Sequence, residues 1–277
     1  MLNVPLAGGT ISPRTGLRTV AAKPIHTIQD TALSDRTFQH LSDHSPTTIL
    51  SHNNPYPKMD NETAKAEIAK ISQEADPTIR MLNLASFVSQ LFRDKGYELI
   101  VVGGSAIELY TEGEYASGDL DLTWKDKRPP LAEIQQLMRD IGADGGPRNF
   151  EIAGMFVDLL GQVESSARTP FQTIKGPYGE VTIVQAEMLL AERILVASGT
   201  TSWTAPTPNE AALNCARVLL LACMNKNIEI DWNEATRLAE SPEYGVGRRL
   251  EELKSEVANS VVRQRRENIS KKPKDRE

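Results

Sequence analysis

The chain has 277 residues, 40% of them hydrophobic, with a formal net charge of −6, two cysteines and four histidines. That length accommodates one large domain or two small ones around a proper core, and no apolar run approaches the roughly 20 residues of a membrane span. Residues 59–260 carry 19 basic against 31 acidic residues, a net of −12, which excludes a general nucleic-acid grip on that body.

Residues 1–58 differ from the rest. They hold six prolines, thirteen Ser or Thr and all four histidines (His26, His40, His44 and His52), without a sustained helical or strand period. This composition predicts a disordered or non-native N-terminal extension, with Met59 as the expected native start. The body is therefore free of histidine. Ser-His-Asp hydrolysis, His-ligated zinc and His-based RNase chemistry are excluded from it, which leaves carboxylates, amides, hydroxyls and a metal.

From Met59 the elements are legible in order. Asn61–Glu74 has the spacing of an amphipathic helix with Ala64, Ile68 and Ile71 inward. Asp76-Pro77 supplies an N-cap and first-turn proline for a second helix striped by Met81, Leu84, Val88, Leu91 and Phe92, which Gly96 ends. Tyr97–Val102 reads as a buried strand, after which Gly103-Gly104-Ser105 opens a short helix through Tyr110. Ser117-Gly118 leads into the strand Asp119-Leu120-Asp121-Leu122. Pro129-Pro130 opens a helix through Asp140, and short strands follow near 150–152, 155–160 and 181–184.

Beyond residue 185 the pattern is helical. Ala186–Ser198 is one helix and 199–206 a loop carrying Trp203. Thr207-Pro208-Asn209-Glu210 has the form of a capping box, and Asp231-Trp232-Asn233-Glu234 and Ser241-Pro242 read as further helix starts. Cys215 and Cys223 share one apolar helical stretch where a disulfide is out of reach, so buried reduced thiols and a cytoplasmic location are expected. The predicted organisation is an α/β core over 59–184, a helical part over 185–260, and a basic disordered tail over 261–277.

Two features carry chemistry. Gly103 and Gly104 place amides without a Cβ at a helix start, which makes an anion site. Strand alternation turns Asp119 and Asp121 to one face and Leu120 and Leu122 to the core. Like charges that close call for a cation, and oxygen donors suit Mg²⁺. Asp158, within the apolar run 155–160, is a further carboxylate that is costly to bury alone. A P-loop fails for want of a following Gly-Lys-Ser/Thr, and an Asp-x-Asp glycosyltransferase lacks chain length ahead of Asp119.

Gly103-Gly104-Ser105, Asp119-Leu120-Asp121-Leu122 and Val157-Asp158-Leu159, in that order, resemble the nucleotidyltransferase (polymerase-beta-like) superfamily. Gly103-Gly104 or Gly104-Ser105 can be its glycine pair. The stretch Ile183-Val184-Gln185-Ala186-Glu187 through Arg193 looks like a helix opening in AbiEii-type, toxin–antitoxin-associated members. Those usually carry a Lys-Asp pair on the following helix, where this chain has Asn209-Glu210 and Asn214.

The resemblance, over roughly 80–240, implies an α+β fold: a small mixed sheet flanked by helices, then a helical C-terminal part. It further implies transfer of a nucleoside monophosphate from an NTP to a hydroxyl of a protein, tRNA or small molecule, possible pairing with a partner protein, and no membrane. Asp119, Asp121 and Asp158 would hold Mg²⁺, Asp158 would help deprotonate the acceptor, and Gly103, Gly104 and Ser105 would hold phosphate oxygens. A catalytically silent, antitoxin-like binding protein on the same fold is the alternative.

Overall fold

The computed structural model describes residues 59–162, 171–199, 209–225 and 227–271, with side chains given to Arg263. The expectations for 1–58, for the Trp203 loop and for residues 272–277 lie outside them. The described residues belong to one compact unit, Asn54–Glu277.

Two helices come first: α1 (Asn61–Ser72), capped by the Asp60 carboxylate accepting from Thr63 N–H, and α2 (Pro77–Arg93), whose first amides donate to Asp76. Gly96, at φ +80°, ends this segment. Then come β1 (Leu99–Val101), α3 (Gly103–Tyr110), β2 (Asp119–Trp124), α4 (Leu131–Asp140), β3 (Asp144–Gly145), β4 (Asn149–Ile152), β5 (Met155–Gln162), β6 (Gln172–Gly176) and β7 (Gly179–Ile183). The remainder is helical: α5 (Ala186–Ala197), α6 (Glu210–Met224), α7 (Trp232–Glu240) and α8 (Gly247–Lys271).

The seven strands form one mixed sheet in the order β3-β4-β5-β2-β1-β7-β6. β2 runs antiparallel to β1 and parallel to β5, and β1 runs parallel to β7. β4 and β5 join as a tight hairpin whose turn residues, Ala153 and Gly154, both have positive φ, the geometry that matches strand twist in a two-residue turn. This is the α+β architecture the sequence implies, a mixed sheet flanked by helices and followed by a helical part.

One apolar core runs through both parts. Val101, Leu120, Leu122, Val157 and Leu159 of the sheet and Leu189, Leu190, Ala216 and Leu219 of the helices belong to the same buried cluster. The junction at 184/185 is thus a change of secondary structure with no break in packing. α3 packs against β2 on one side and α5 and α6 on the other, so the glycine turn sits at the seam. Glu187 pins α5 to α7 by accepting the Asp231 N–H at 2.8 Å.

Several boundaries differ from expectation. Ser241 closes α7, and the chain then turns through Gly245 at φ +61°, a conformation no helix continues, because Tyr244 and Val246 are drawn into the core. Helix α6 starts at Glu210 with Asn209 as its cap, since the Asn209 side chain accepts the Ala212 N–H at 3.1 Å. Helix α8 runs past 260 to Lys271, so the expected tail boundary falls inside a helix. Strand β6, Gln-Thr-Ile-Lys-Gly, was not foreseen because neither of its faces is fully buried and its sequence has no apolar alternation.

Candidate active site

The site is built on the β1–α3–β2 connection, which joins two antiparallel neighbours of the sheet. β1 is wholly buried, and Val102 leaves it in extended conformation directly into α3. Gly103 takes φ +64°, and a Cβ there would run into the Asp121 carboxylate. A Cβ on Gly104 would lie 2.9 Å from Ser117 Oγ. Gly103 is therefore favoured by its left-handed backbone as well as by close approach, and Gly104 by the approach of the Ser117 side chain alone. No side chain caps the start of α3, so its first amides remain available to an anion.

Ser105 is placed differently from expectation. Its side chain is fully buried; the hydroxyl donates to Val102 O at 2.8 Å and accepts the Asp121 N–H at 3.0 Å. It stitches the glycine turn to β2, and those bonds commit its oxygen to the backbone.

Asp119 and Asp121 project from β2 on the face opposite Leu120 and Leu122. Parallel pairing with β5 sets Asp158 directly across from Asp121. One carboxylate oxygen from each of Asp119, Asp121 and Asp158 lies within 4.8 Å of the others. Two of the three are held by neighbours. Ser117 Oγ donates to Asp119 Oδ1 at 3.1 Å, and Asn149 Nδ2 donates to Asp158 Oδ1 at 2.6 Å. Asp121 has no such donor, and burial, then the charges of Asp119 and Asp158, push its carboxyl up to about 7, with Arg193 opposing.

This donor set fits a divalent cation. It is all oxygen and carries three carboxylates, and one of them is raised in pKa by burial and then by its neighbours' charge, the latter of which a bound cation would offset.

The surrounding groups are structural in placement. Glu108 is buried and accepts from Thr78 Oγ1 at 2.9 Å and from the Ser117 backbone N–H, so it anchors the loop that delivers Asp119. Its carboxyl is raised, chiefly by burial. Arg193 of α5 pairs with Glu192 at 2.6 Å while its charge reaches Asp121. Cys215 and Cys223 are buried and unbridged, and burial, then the Glu187 charge, pushes the Cys223 thiol up to about 12.

Sequence reasoning missed Asn149 and Ser117. Ser117 was visible as the residue two before Asp119. Asn149 was findable only by pairing strands about the Ala153-Gly154 turn, which sets it across from Asp158.

No protein-family model matches the chain, and no curated protein matches it. Solved structures to which it is similar include an antigenic nucleotidyltransferase-like protein from Paracoccidioides brasiliensis, at 12% identity and TM-score 0.40, over 53% of this chain and 76% of that one. The antibiotic-resistance factor ANT(2'')-Ia is 14% identical with TM-score 0.39, over 62% of this chain and 90% of its own. The Megavirus polyadenylate synthase is 17% identical with TM-score 0.35, over 68% of this chain and 42% of its own. Among the described residues no helix is long and apolar enough to cross a membrane.

Proposed function

We propose that this chain is a Mg²⁺-dependent nucleotidyltransferase that moves a nucleoside monophosphate from an NTP to an acceptor hydroxyl. The observation that carries the reading is the convergence of Asp119, Asp121 and Asp158 within 4.8 Å, beside an uncapped glycine turn.

In this reading Asp119, Asp121 and Asp158 hold the metal, which when bound neutralises charge on the triphosphate and the departing pyrophosphate. The amides of Gly103, Gly104 and Ser105 at the start of α3 bind phosphate oxygens, while the Ser105 hydroxyl keeps the turn on β2. Asp158 takes the proton of the acceptor hydroxyl, and Asn149 fixes its orientation. The helix opening at 183–193 supports an AbiEii-type, toxin–antitoxin setting with a partner protein, and the buried thiols support a cytoplasmic location.

The test is pyrophosphate release by purified protein with each of the four labelled NTPs, Mg²⁺ and a cell extract as acceptor source. Release should depend on Mg²⁺ and disappear in Asp119→Asn/Asp121→Asn with the fold intact. Wild-type protein that neither binds an NTP with Mg²⁺ nor releases pyrophosphate would overturn the reading and leave a silent binding protein.

A further inference from the structure

Phe156 is the most exposed large hydrophobic residue of the described chain, at 56%, and it stands beside the carboxylate cluster. On β5 it precedes Asp158 by two residues and shares its face; Leu160, 38% exposed, follows on the same side. Register places Phe156 between Asp119 of β2 and Glu151 of β4, with Asp144 of β3 beyond Glu151. The next row is Asp121, Asp158 and Asn149. Strands β2, β3, β4 and β5 contain no Lys or Arg; Arg148 immediately precedes β4, and Arg193 of α5 is paired with Glu192.

The position of this face follows from the sheet order, and its role as an acceptor surface rests on the nucleotidyltransferase reading. The phosphate-binding turn follows β1, on one side of β2, and β5 and β4 lie on the other side. In-line displacement puts the attacking hydroxyl opposite the leaving pyrophosphate. The acceptor must therefore arrive over β5 and β4. What it meets there is an apolar ring flanked by Asp119 and Glu151, on an open sheet face within a body of net charge −12. A polyphosphate backbone is repelled by such a surface, and an extended segment with cationic side chains is complementary to it.

We propose that the acceptor is a polypeptide segment in which the modified Ser, Thr or Tyr is flanked by Lys or Arg. An apolar side chain of that segment rests on Phe156, and its cations face Glu151 and Asp144. In the transfer, the acceptor oxygen forms a bond to the α-phosphorus and the bond from that phosphorus to the bridging oxygen breaks. Pyrophosphate leaves with the electron pair, and the hydroxyl proton passes to Asp158 and then to water.

The experiment is fluorescence anisotropy of the full chain with two labelled peptides of identical core, containing Tyr, Ser and Leu, one flanked by Lys and the other by Glu. Binding of fluorescent analogues of the four NTPs with Mg²⁺ serves as the control for folding. Wild type should bind the Lys-flanked peptide about tenfold more tightly than the Glu-flanked one at low salt. Glu151→Lys should reverse the preference, Phe156→Ala should weaken binding about tenfold, and Phe156→Trp should retain it. Equal binding of the two peptides, no binding of either, indifference to Glu151→Lys, or displacement of peptide by transfer RNA would each overturn the inference. If nucleotide binding survives those results, only the acceptor assignment fails; absence of nucleotide binding in wild type removes the parent reading itself.

Discussion

Asp121 offers a measurement that needs no knowledge of the acceptor. Its carboxyl is held at about 7 instead of 3.8, by burial and by Asp119 and Asp158. The folded chain therefore binds more protons than the unfolded one between about pH 4 and 7. Metal-free stability should fall as pH rises through that window, and the loss is complete above about 7. Ionising such a group in the fold costs about 4 kcal/mol at most. Asp121 keeps contact with water, so about 2 kcal/mol is the expected size after screening.

In Asp121→Asn this cost vanishes, and no hydrogen bond to the carboxylate is lost with it. In EDTA at pH 8 the variant should be about 2 kcal/mol more stable than wild type, a rise in Tm of roughly 4–8 °C for a domain of this size. At pH 4 the two should coincide. Mg²⁺ at pH 8 should stabilise wild type, because the ionised triad exists only in the folded chain, and should leave the variant unmoved. Urea unfolding across pH 4–8.5, with and without Mg²⁺, reads all four conditions. A variant less stable than wild type at pH 8 in EDTA, or equally stabilised by Mg²⁺, would refute the account of these carboxylates as an unneutralised cation site.

Three other substitutions probe the framework. Gly103→Ala forces a left-handed residue and a clash with the Asp121 carboxylate, so it should cost about 2–3 kcal/mol and abolish Mn²⁺ binding, read by denaturation and calorimetric titration. Ser105→Ala leaves the Asp121 N–H without its acceptor in a buried site, and a loss of about 1–3 kcal/mol is expected in urea unfolding. Asn149→Ala releases Asp158 by removing a solvent-exposed hydrogen bond; stability should change by less than about 1 kcal/mol while Mn²⁺ affinity drops about tenfold. Unchanged Mn²⁺ affinity there would show that Asp158 needs no support.

The sequence by itself determined most of the elements and half of the site. Proline and aspartate caps marked α2, apolar spacing marked α1 and α4, and glycines after a buried run located the turn before α3, because these signals act within a few residues of where they stand. The Asp119/Asp121 pair was legible for the same reason: alternation along one strand is local. Where a signal depended on distant partners, local reading failed. Ser241-Pro242 resembled a helix start until burial of Tyr244 and Val246 bent the chain through Gly245. The bond from the Asp121 N–H to the Ser105 hydroxyl likewise depends on β2 lying beside the turn, which no local signal marks.

The resemblance implied that Asp158 joins the pair, and only the tertiary structure showed the pairing that sets it across from Asp121. That contact follows from parallel pairing of β2 with β5 across an intervening helix and hairpin, a register fixed by burial of Leu120, Leu122, Val157 and Leu159 on the opposite face. The same pairing brought Asn149 to Asp158 and set Phe156 in the open beside the cluster. Carboxylate type was written in the chain, and carboxylate convergence was made by the sheet.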